Sequence, residues 1–177
     1  FCGALKEGAP LVFTYHHNDA LAYAPLVVAV LDSKLSCTAV FPAAAEMSAS
    51  MHIANTSSSI LDSVFVCRSV GSGAKLDERV CPGSPVDVMV KALVIDAQHM
   101  RAAGVRVSTG DLRCLLAGRV AAQAINRLRD QWDATGEIQR KMQVVGACLR
   151  QLIEEVSFNA TVEAALSDLS KLAAKGS

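Results

Sequence analysis

The chain has no closely spaced cysteine pair, no long apolar run and few aromatic residues. Its six cysteines are scattered along the sequence: Cys2, Cys37, Cys67, Cys81, Cys114 and Cys148. Zinc sites usually take their ligands in close pairs, so this spacing predicts no metal site. The longest apolar stretch, residues 20–31, is interrupted by Pro25 and is too short to span a bilayer. There is no signal-peptide pattern, and we therefore predict a cytoplasmic protein with no membrane partner.

The composition is that of a protein that forms a hydrophobic core. Hydrophobic residues make up 51% of the chain, charged residues 19% and aromatic residues only 5%. This balance excludes a disordered chain and favours a core of small aliphatic side chains, as in helices packed on a sheet. A length of 177 residues allows one medium domain, or a small α/β unit followed by a helical one.

Positive charge is concentrated in one part of a chain whose formal net charge is zero. Between positions 101 and 129 there are six arginines against a single acidic residue, Asp111. Such a block can bind phosphate groups, with Arg113 and Arg119 as the candidate contacts. The alternative is that these arginines lie on a solvated helix face.

Residues 1–70 have the pattern of an α/β sheet. Leu11–Tyr15 is an apolar run that ends in polar residues, and residues 35–41 and 60–68 predict two more strands. Asp19 can cap a helix between the first two strands, and Pro25 either kinks that helix or marks its first regular turn. The polar span 46–59 has turn chemistry and predicts a loop.

The rest of the chain predicts helices. Residues 71–84 are rich in Gly, Ser and Pro and predict a linker, whereas residues 85–177 have helical periodicity. Within the helical region an a/d seam for helix pairing is formed by Ile138, Met142, Val145, Leu149, Leu152 and Val156. The seam either packs inside a bundle or docks a partner helix or a second copy of the chain.

Three runs of residues, taken in order, resemble one known family. They are Leu11-Val-Phe-Thr-Tyr-His-His17, the pair Glu46-Met47, and Val64-Phe-Val-Cys-Arg68. Together they resemble the closing third of a class I methyltransferase domain, and more narrowly that of the adenine-specific DNA methylases. The resemblance covers residues 1–70 and, more loosely, residues 104–128.

The resemblance implies a fold and an activity. Residues 1–70 would supply the last three strands of a Rossmann-like α/β sheet, with the final strand antiparallel at the sheet edge. The activity would be methyl transfer from S-adenosyl-L-methionine to the N6 amine of adenine in DNA. The family's glycine-rich cofactor turn and its D-P-P-Y-like loop are absent from these residues. We therefore expect the chain to be the C-terminal part of a longer protein and to be inactive alone.

Three residues are candidates for the substrate side of such a domain. His16 and His17 end the first strand, where a parallel sheet meets its substrate, and their neutral ring nitrogens could orient the target base. The alternative is that one histidine caps the following helix and the other packs under a loop. Glu46 matches a glutamate of the family and could bind an exocyclic amine; otherwise it is a solvated loop carboxylate. No catalytic residue is assigned within the chain.

A second hypothesis requires no catalysis. In it the chain is a helical interaction or assembly module whose a/d seam docks a partner helix or a second copy. The arginine block, including Arg113 and Arg119, would then serve assembly and not contact the DNA backbone.

Overall fold

The computed structural model describes residues 5–6, 8–44, 60–69 and 73–175. Within them, three strands form one sheet: β1 (Leu11–Tyr15), β2 (Leu35–Ala44) and β3 (Leu61–Ser69). β3 pairs antiparallel with both β1 and β2, so β1 and β2 run in the same direction. The three predicted strands and the antiparallel pairing of the third with the second are confirmed.

β3 lies in the middle of the sheet, in the order β1-β3-β2, and not at its edge. The expectation of an antiparallel edge strand was therefore wrong. β1 and β2 are not neighbours in the sheet. β3 lies between them and pairs with both. There its backbone N–H and C=O groups find partners on both sides, whereas an edge position would leave half of them unpaired.

The connection from β1 to β2 is helical, as predicted. Asp19 caps a short 3-10 turn, Ala20–Tyr23, by accepting a hydrogen bond from the Leu21 backbone N–H at 2.9 Å. The helix α1 (Ala24–Asp32) follows, with Pro25 in its first turn. An N–H group at that position has no partner within a helix, so the proline begins the helix and does not kink it.

Four further helices follow: α2 (Val86–Ala102), α3 (Thr109–Leu128), α4 (Ile138–Glu155) and α5 (Phe158–Lys175). α3 packs against the sheet through β2 and β3 and also against the other four helices. The sheet and the helices therefore share one hydrophobic core, which extends across the predicted division at residues 71–84. None of the helices in the part of the chain that the structure describes is long and apolar enough to cross a bilayer.

Most of the a/d seam packs inside the chain itself. Val145, Leu149, Leu152 and Val156 are buried in the common core, whereas Ile138 at the beginning of the seam is 60% exposed. A side chain that is buried against its own chain is not available to a partner helix. These positions favour the bundle alternative over docking.

α3 approaches the sheet closely at Gly118. A Cβ atom added there would lie 2.3 Å from Ser63 Oγ and 2.7 Å from Ser63 Cβ on β3. Rotation of the serine hydroxyl would relieve the first contact but not the second. We expect Gly118→Ala to lower the free energy of unfolding by about 1–3 kcal/mol, because overpacking outweighs the gain in helix propensity.

Gly146 on α4 provides a matched control for this prediction. A Cβ atom added at Gly146 would meet only the Arg150 side chain, at 3.6 Å. Gly146→Ala should therefore raise the free energy of unfolding by about 0.5–1 kcal/mol, the difference in helix propensity. Chemical denaturation measures both variants, and a stabilised Gly118→Ala variant would contradict the close packing of α3 on β3.

Candidate functional site

His16 follows the last residue of β1 and is held against the beginning of β3. Tyr15 pairs with Ser63 in the sheet register, so the antiparallel ladder places His16 beside Asp62. His16 Nδ1 lies 3.0 Å from the Leu61 carbonyl oxygen and 3.1 Å from Asp62 Oδ1. These two contacts hold the ring at the carboxyl end of β1.

The partners of His16 determine which ring nitrogen carries the proton. A carbonyl oxygen can only accept a hydrogen bond, so Nδ1 donates to Leu61 and to the neighbouring Asp62 carboxylate. In the neutral ring Nε2 is then unprotonated, and it has no hydrogen-bond partner among the described residues. The His16 side chain is 38% exposed. It therefore presents a hydrogen-bond or proton acceptor at the end of the sheet.

His17 has a different role, in the turn between β1 and α1. Its Nδ1 accepts a hydrogen bond from the Asp19 backbone N–H at 3.0 Å, and its carbonyl accepts one from the Tyr23 hydroxyl at 3.3 Å. The Tyr15 hydroxyl donates to the Ala22 carbonyl in the same turn. His17 thus orders the entry to the following helix, as the capping alternative for one of the two histidines predicts.

Asp111 fastens the beginning of β3 to the N-terminus of α3. Its buried carboxylate accepts hydrogen bonds through Oδ1 from the backbone N–H groups of Ile60 at 2.6 Å and Leu61 at 2.9 Å. Through Oδ2 it accepts hydrogen bonds from the backbone N–H and the hydroxyl of Ser108, the N-cap of α3. Because the Leu61 carbonyl holds His16, this clamp also fixes the position of the histidine.

Cys114 and Tyr23 are buried beside the two histidines. Cys114 Sγ lies 3.8 Å from His16 Nδ1, and the Cys114 carbonyl accepts a hydrogen bond from Ser63 Oγ at 3.3 Å. Burial raises the pKa of the Cys114 thiol, and burial together with the nearby Cys114 raises the pKa of the Tyr23 phenol. Both groups therefore stay protonated at neutral pH. Burial and a raised pKa both lower the reactivity of the Cys114 thiol.

Of the other predicted residues, Glu46 lies outside the described part of the chain, and the structure places Arg113 against α5. Arg113 is partly buried on α3, where its guanidinium donates to Asn159 Oδ1 at 2.8 Å and lies 5.3 Å from the centroid of the Phe158 ring. Since Arg113 keeps some exposure, it stays a candidate for a phosphate contact.

Arg119 lies in the core and is 1% exposed. Its guanidinium forms an ion pair with Asp96 on α2, and Arg79 approaches the same carboxylate at 3.5 Å. Burial lowers the pKa of Arg119, and the Asp96 charge acts against that shift. A guanidinium in this position cannot reach a DNA phosphate. The prediction that Arg119 contacts the DNA backbone was therefore wrong.

The arginine block does not form one continuous basic face. Arg127 makes two hydrogen bonds with the Glu155 carboxylate, and the Arg129 guanidinium donates to the Leu35 carbonyl at 3.1 Å. Arg101 and Arg106 are exposed. The count along the sequence therefore overstated the concentration of positive charge at the surface.

Asp62 is the functional candidate that the sequence analysis missed. It is the only acidic residue of β3, and a single carboxylate in an otherwise uncharged part of a strand is a usable signal. Its relation to His16 depends on the register between β1 and β3, which the sequence alone does not give. No group of three or more His, Cys, Asp and Glu side chains within the described residues is arranged to hold a metal ion.

The described residues do not fit S-adenosyl-L-methionine. A dinucleotide-type cofactor site needs a glycine-rich turn after a strand, whereas β1 is followed by His16, His17, Asn18 and Asp19. The structure has a groove of about 730 Å³ between residues 77–79 and α2. Neither His16 nor Asp62 lines this groove, so it is not next to the candidate site. Any site for this cofactor needs residues that the structure does not describe.

No family model, curated protein or solved structure matches this chain.

Proposed function

We propose that this chain is the C-terminal part of an S-adenosyl-L-methionine-dependent DNA methyltransferase that modifies the N6 amine of adenine. The observation that carries the proposal is the fixed orientation of His16. Its Nδ1 is bound by the Leu61 carbonyl and by Asp62, which leaves Nε2 as the acceptor. In open α/β sheets, ligands bind beyond the carboxyl ends of the strands, where this nitrogen lies. The cofactor turn and the loop that holds the flipped base would come from outside this chain.

His16 would contact the amine that receives the methyl group. The exocyclic amine of adenine can donate one of its hydrogens to the unprotonated Nε2, and this contact orients the amine nitrogen. The amine loses one proton in the overall reaction, and the same ring nitrogen can take it up. Asp62 would then stabilise the resulting imidazolium through Nδ1, which makes Asp62 a positioning residue.

The difference between the two edges of the sheet supports the proposal that, in the full-length protein, further strands pair with β1. The outer edge of β2 is covered, because Asn126 makes two hydrogen bonds with the Cys37 backbone and the Asp77 N–H donates to the Thr38 carbonyl. No such cover lies along β1 in the described part of the chain. Edge strands are usually protected from pairing by charged side chains, and β1 has none.

Two further parts of the proposal concern partners and location. Arg113 is the arginine that we propose for the DNA backbone, and the cytoplasm remains the proposed location. The alternative, a helical assembly module, has less support because most of the α4 seam is buried in the core.

A methyl-transfer assay tests the proposal. The full-length protein that contains this sequence should transfer radiolabelled methyl groups from S-adenosyl-L-methionine to an adenine-rich DNA duplex. This chain alone should transfer none and should bind the cofactor weakly in a calorimetric titration, since transfer requires donor and amine to be held in line. The proposal would be contradicted if the full-length protein transferred no methyl groups, or if this chain alone transferred them.

The isolated chain is also expected to self-associate through β1. Val12 is 53% exposed on this uncharged edge strand. Val12→Lys introduces a charge at the edge and should shift the chain toward monomer, measured by size-exclusion chromatography with light scattering. Ile95→Lys, at a 47% exposed position on α2, is the control and should leave the association unchanged. If only Ile95→Lys yields monomer, the association depends on α2 and not on β1.

A further inference from the structure

Cys37 on β2 and Cys67 on β3 are directly opposite each other in the sheet register. Both are fully buried, and neither is in a disulfide. The Cys37 backbone N–H donates to Asn126 Oδ1 at 3.1 Å, and its carbonyl accepts from Asn126 Nδ2 at 2.8 Å. Both backbone groups of Cys37 therefore point toward α3 and away from β3.

This arrangement identifies the type of cross-strand pair. In an antiparallel ladder, opposite residues alternate between pairs that exchange two backbone hydrogen bonds and pairs that exchange none. The second type has the shorter Cα separation, about 4.5 Å. Cys37 and Cys67 belong to this type because Cys37 bonds to Asn126. Disulfides span Cα separations of about 4.4–6.8 Å, a range that includes the usual spacing of such a pair. The register shifts just after this pair, between Cys37 and Ala39.

The Cys37 thiol donates to the Ala39 carbonyl oxygen at 3.4 Å. The neighbouring Cys67 thiol, together with burial, raises the pKa of Cys37. Cys37 therefore stays a thiol at neutral pH, which slows its reaction with an oxidant. Because Cys37 and Cys67 are paired across adjacent strands, the second thiol lies on the neighbouring strand when the first is oxidised.

We propose that Cys37 and Cys67 are a modification site, at which a hydroperoxide converts the two thiols of the folded chain into a cross-strand disulfide. One sulfur attacks a peroxide oxygen, the O–O bond breaks, and a sulfenic acid and one water form. The other sulfur then attacks the sulfenic sulfur, the S–O bond breaks and a second water leaves. Two thiols are oxidised and one hydrogen peroxide is reduced to two waters.

The disulfide would join β2 to β3 and close a loop that contains the residues between the two cysteines, 38–66. A closed loop restricts the unfolded chain, so the oxidised protein should have a higher denaturation midpoint than the reduced protein. The hydrogen bonds from Asn126 would be retained, since they use the opposite side of β2. This inference does not depend on the proposed methyltransferase function.

Peptide mapping provides a direct test. No lysine or arginine lies between Lys34 and Arg68, so trypsin leaves Cys37 and Cys67 in one peptide, residues 35–68. The folded chain is treated with hydrogen peroxide, and the remaining thiols are alkylated after denaturation without reductant. The peptide 35–68 should lose two hydrogens and carry no alkyl group. Reduction before alkylation should restore two alkylated cysteines.

Cys81 is the internal measure of peroxide exposure, because it is partly exposed and lies in a different tryptic peptide. If Cys81 is oxidised while the peptide 35–68 keeps two alkylated cysteines, the proposal is wrong. It is also wrong if either cysteine is bridged to Cys114 or Cys148. Since the wild-type chain provides the deciding result, no variant has to fold.

Discussion

Arg119→Ala is expected to lower the free energy of unfolding by about 3–5 kcal/mol. The guanidinium is buried and forms the ion pair with Asp96, so its removal leaves a carboxylate in the core with Arg79 as its nearest described cation, at 3.5 Å. Arg127→Ala on the same helix is the control. Its pair with Glu155 is partly exposed, and its loss should cost about 1 kcal/mol or less.

The loss in free energy of unfolding that Arg119→Ala causes should become smaller as the pH is lowered. Burial raises the pKa of Asp96, although Arg119, Arg79 and His99 act in the opposite direction. A carboxyl group whose pKa is higher in the folded than in the unfolded state destabilises the fold as the pH rises through its folded pKa. Loss of Arg119 should raise that pKa further. Chemical denaturation across the acidic range measures the effect, and equal, pH-independent losses for both variants would contradict the buried ion pair.

His16→Gln in the full-length protein is expected to lower kcat/KM for methyl transfer by about a hundredfold or more. Glutamine can form hydrogen bonds at this position but cannot take up the proton of the amine. His17→Gln is the adjacent control and should have a much smaller effect. His17 Nδ1 accepts a hydrogen bond from the Asp19 backbone N–H in the turn before α1. Steady-state kinetics of the two variants give the comparison, and equal losses would contradict a substrate role that belongs to His16 alone.

Nitrogen NMR of the isolated chain provides a readout that does not depend on activity. The neutral His16 ring should carry its proton on Nδ1, since the Leu61 carbonyl requires a donor. The neutral His17 ring should carry its proton on Nε2, because its Nδ1 accepts from the Asp19 N–H. The same tautomer in both rings would contradict the geometry of the site, whatever the protein catalyses.

Local features of the fold were predictable because each depends on neighbouring residues. The apolar run Leu11–Tyr15 predicted β1, and the side chain of Asp19 with Pro25 predicted the beginning of the helix that follows. The position of β3 between β1 and β2 was not predictable in this way. It depends on pairing between strands that are far apart in the sequence, and so does the contact between His16 and Asp62.

The burial of Arg119 had a signal that the charge count concealed. Arg119 follows Leu112, Leu115 and Leu116 at intervals of seven, four and three residues, which places it on the same face of α3. All three leucines are buried, and Arg119 is buried with them. α3 is buried at every position from Cys114 to Ile125, so the apolar residues around Arg119 were the usable signal, and the total of six arginines was not. Its partner Asp96, on a separate helix, could not be identified from spacing.

Mass spectrometry of nucleosides from treated DNA tests most directly whether this chain belongs to an adenine methyltransferase with His16 at the substrate. The full-length protein and its His16→Gln variant would each be incubated with S-adenosyl-L-methionine and unmethylated duplex, and the DNA digested to nucleosides. We predict N6-methyldeoxyadenosine with the wild-type protein and a small fraction of that amount with the variant. No N6-methyldeoxyadenosine from the wild-type protein, or equal amounts from both, would contradict the proposed function of the site.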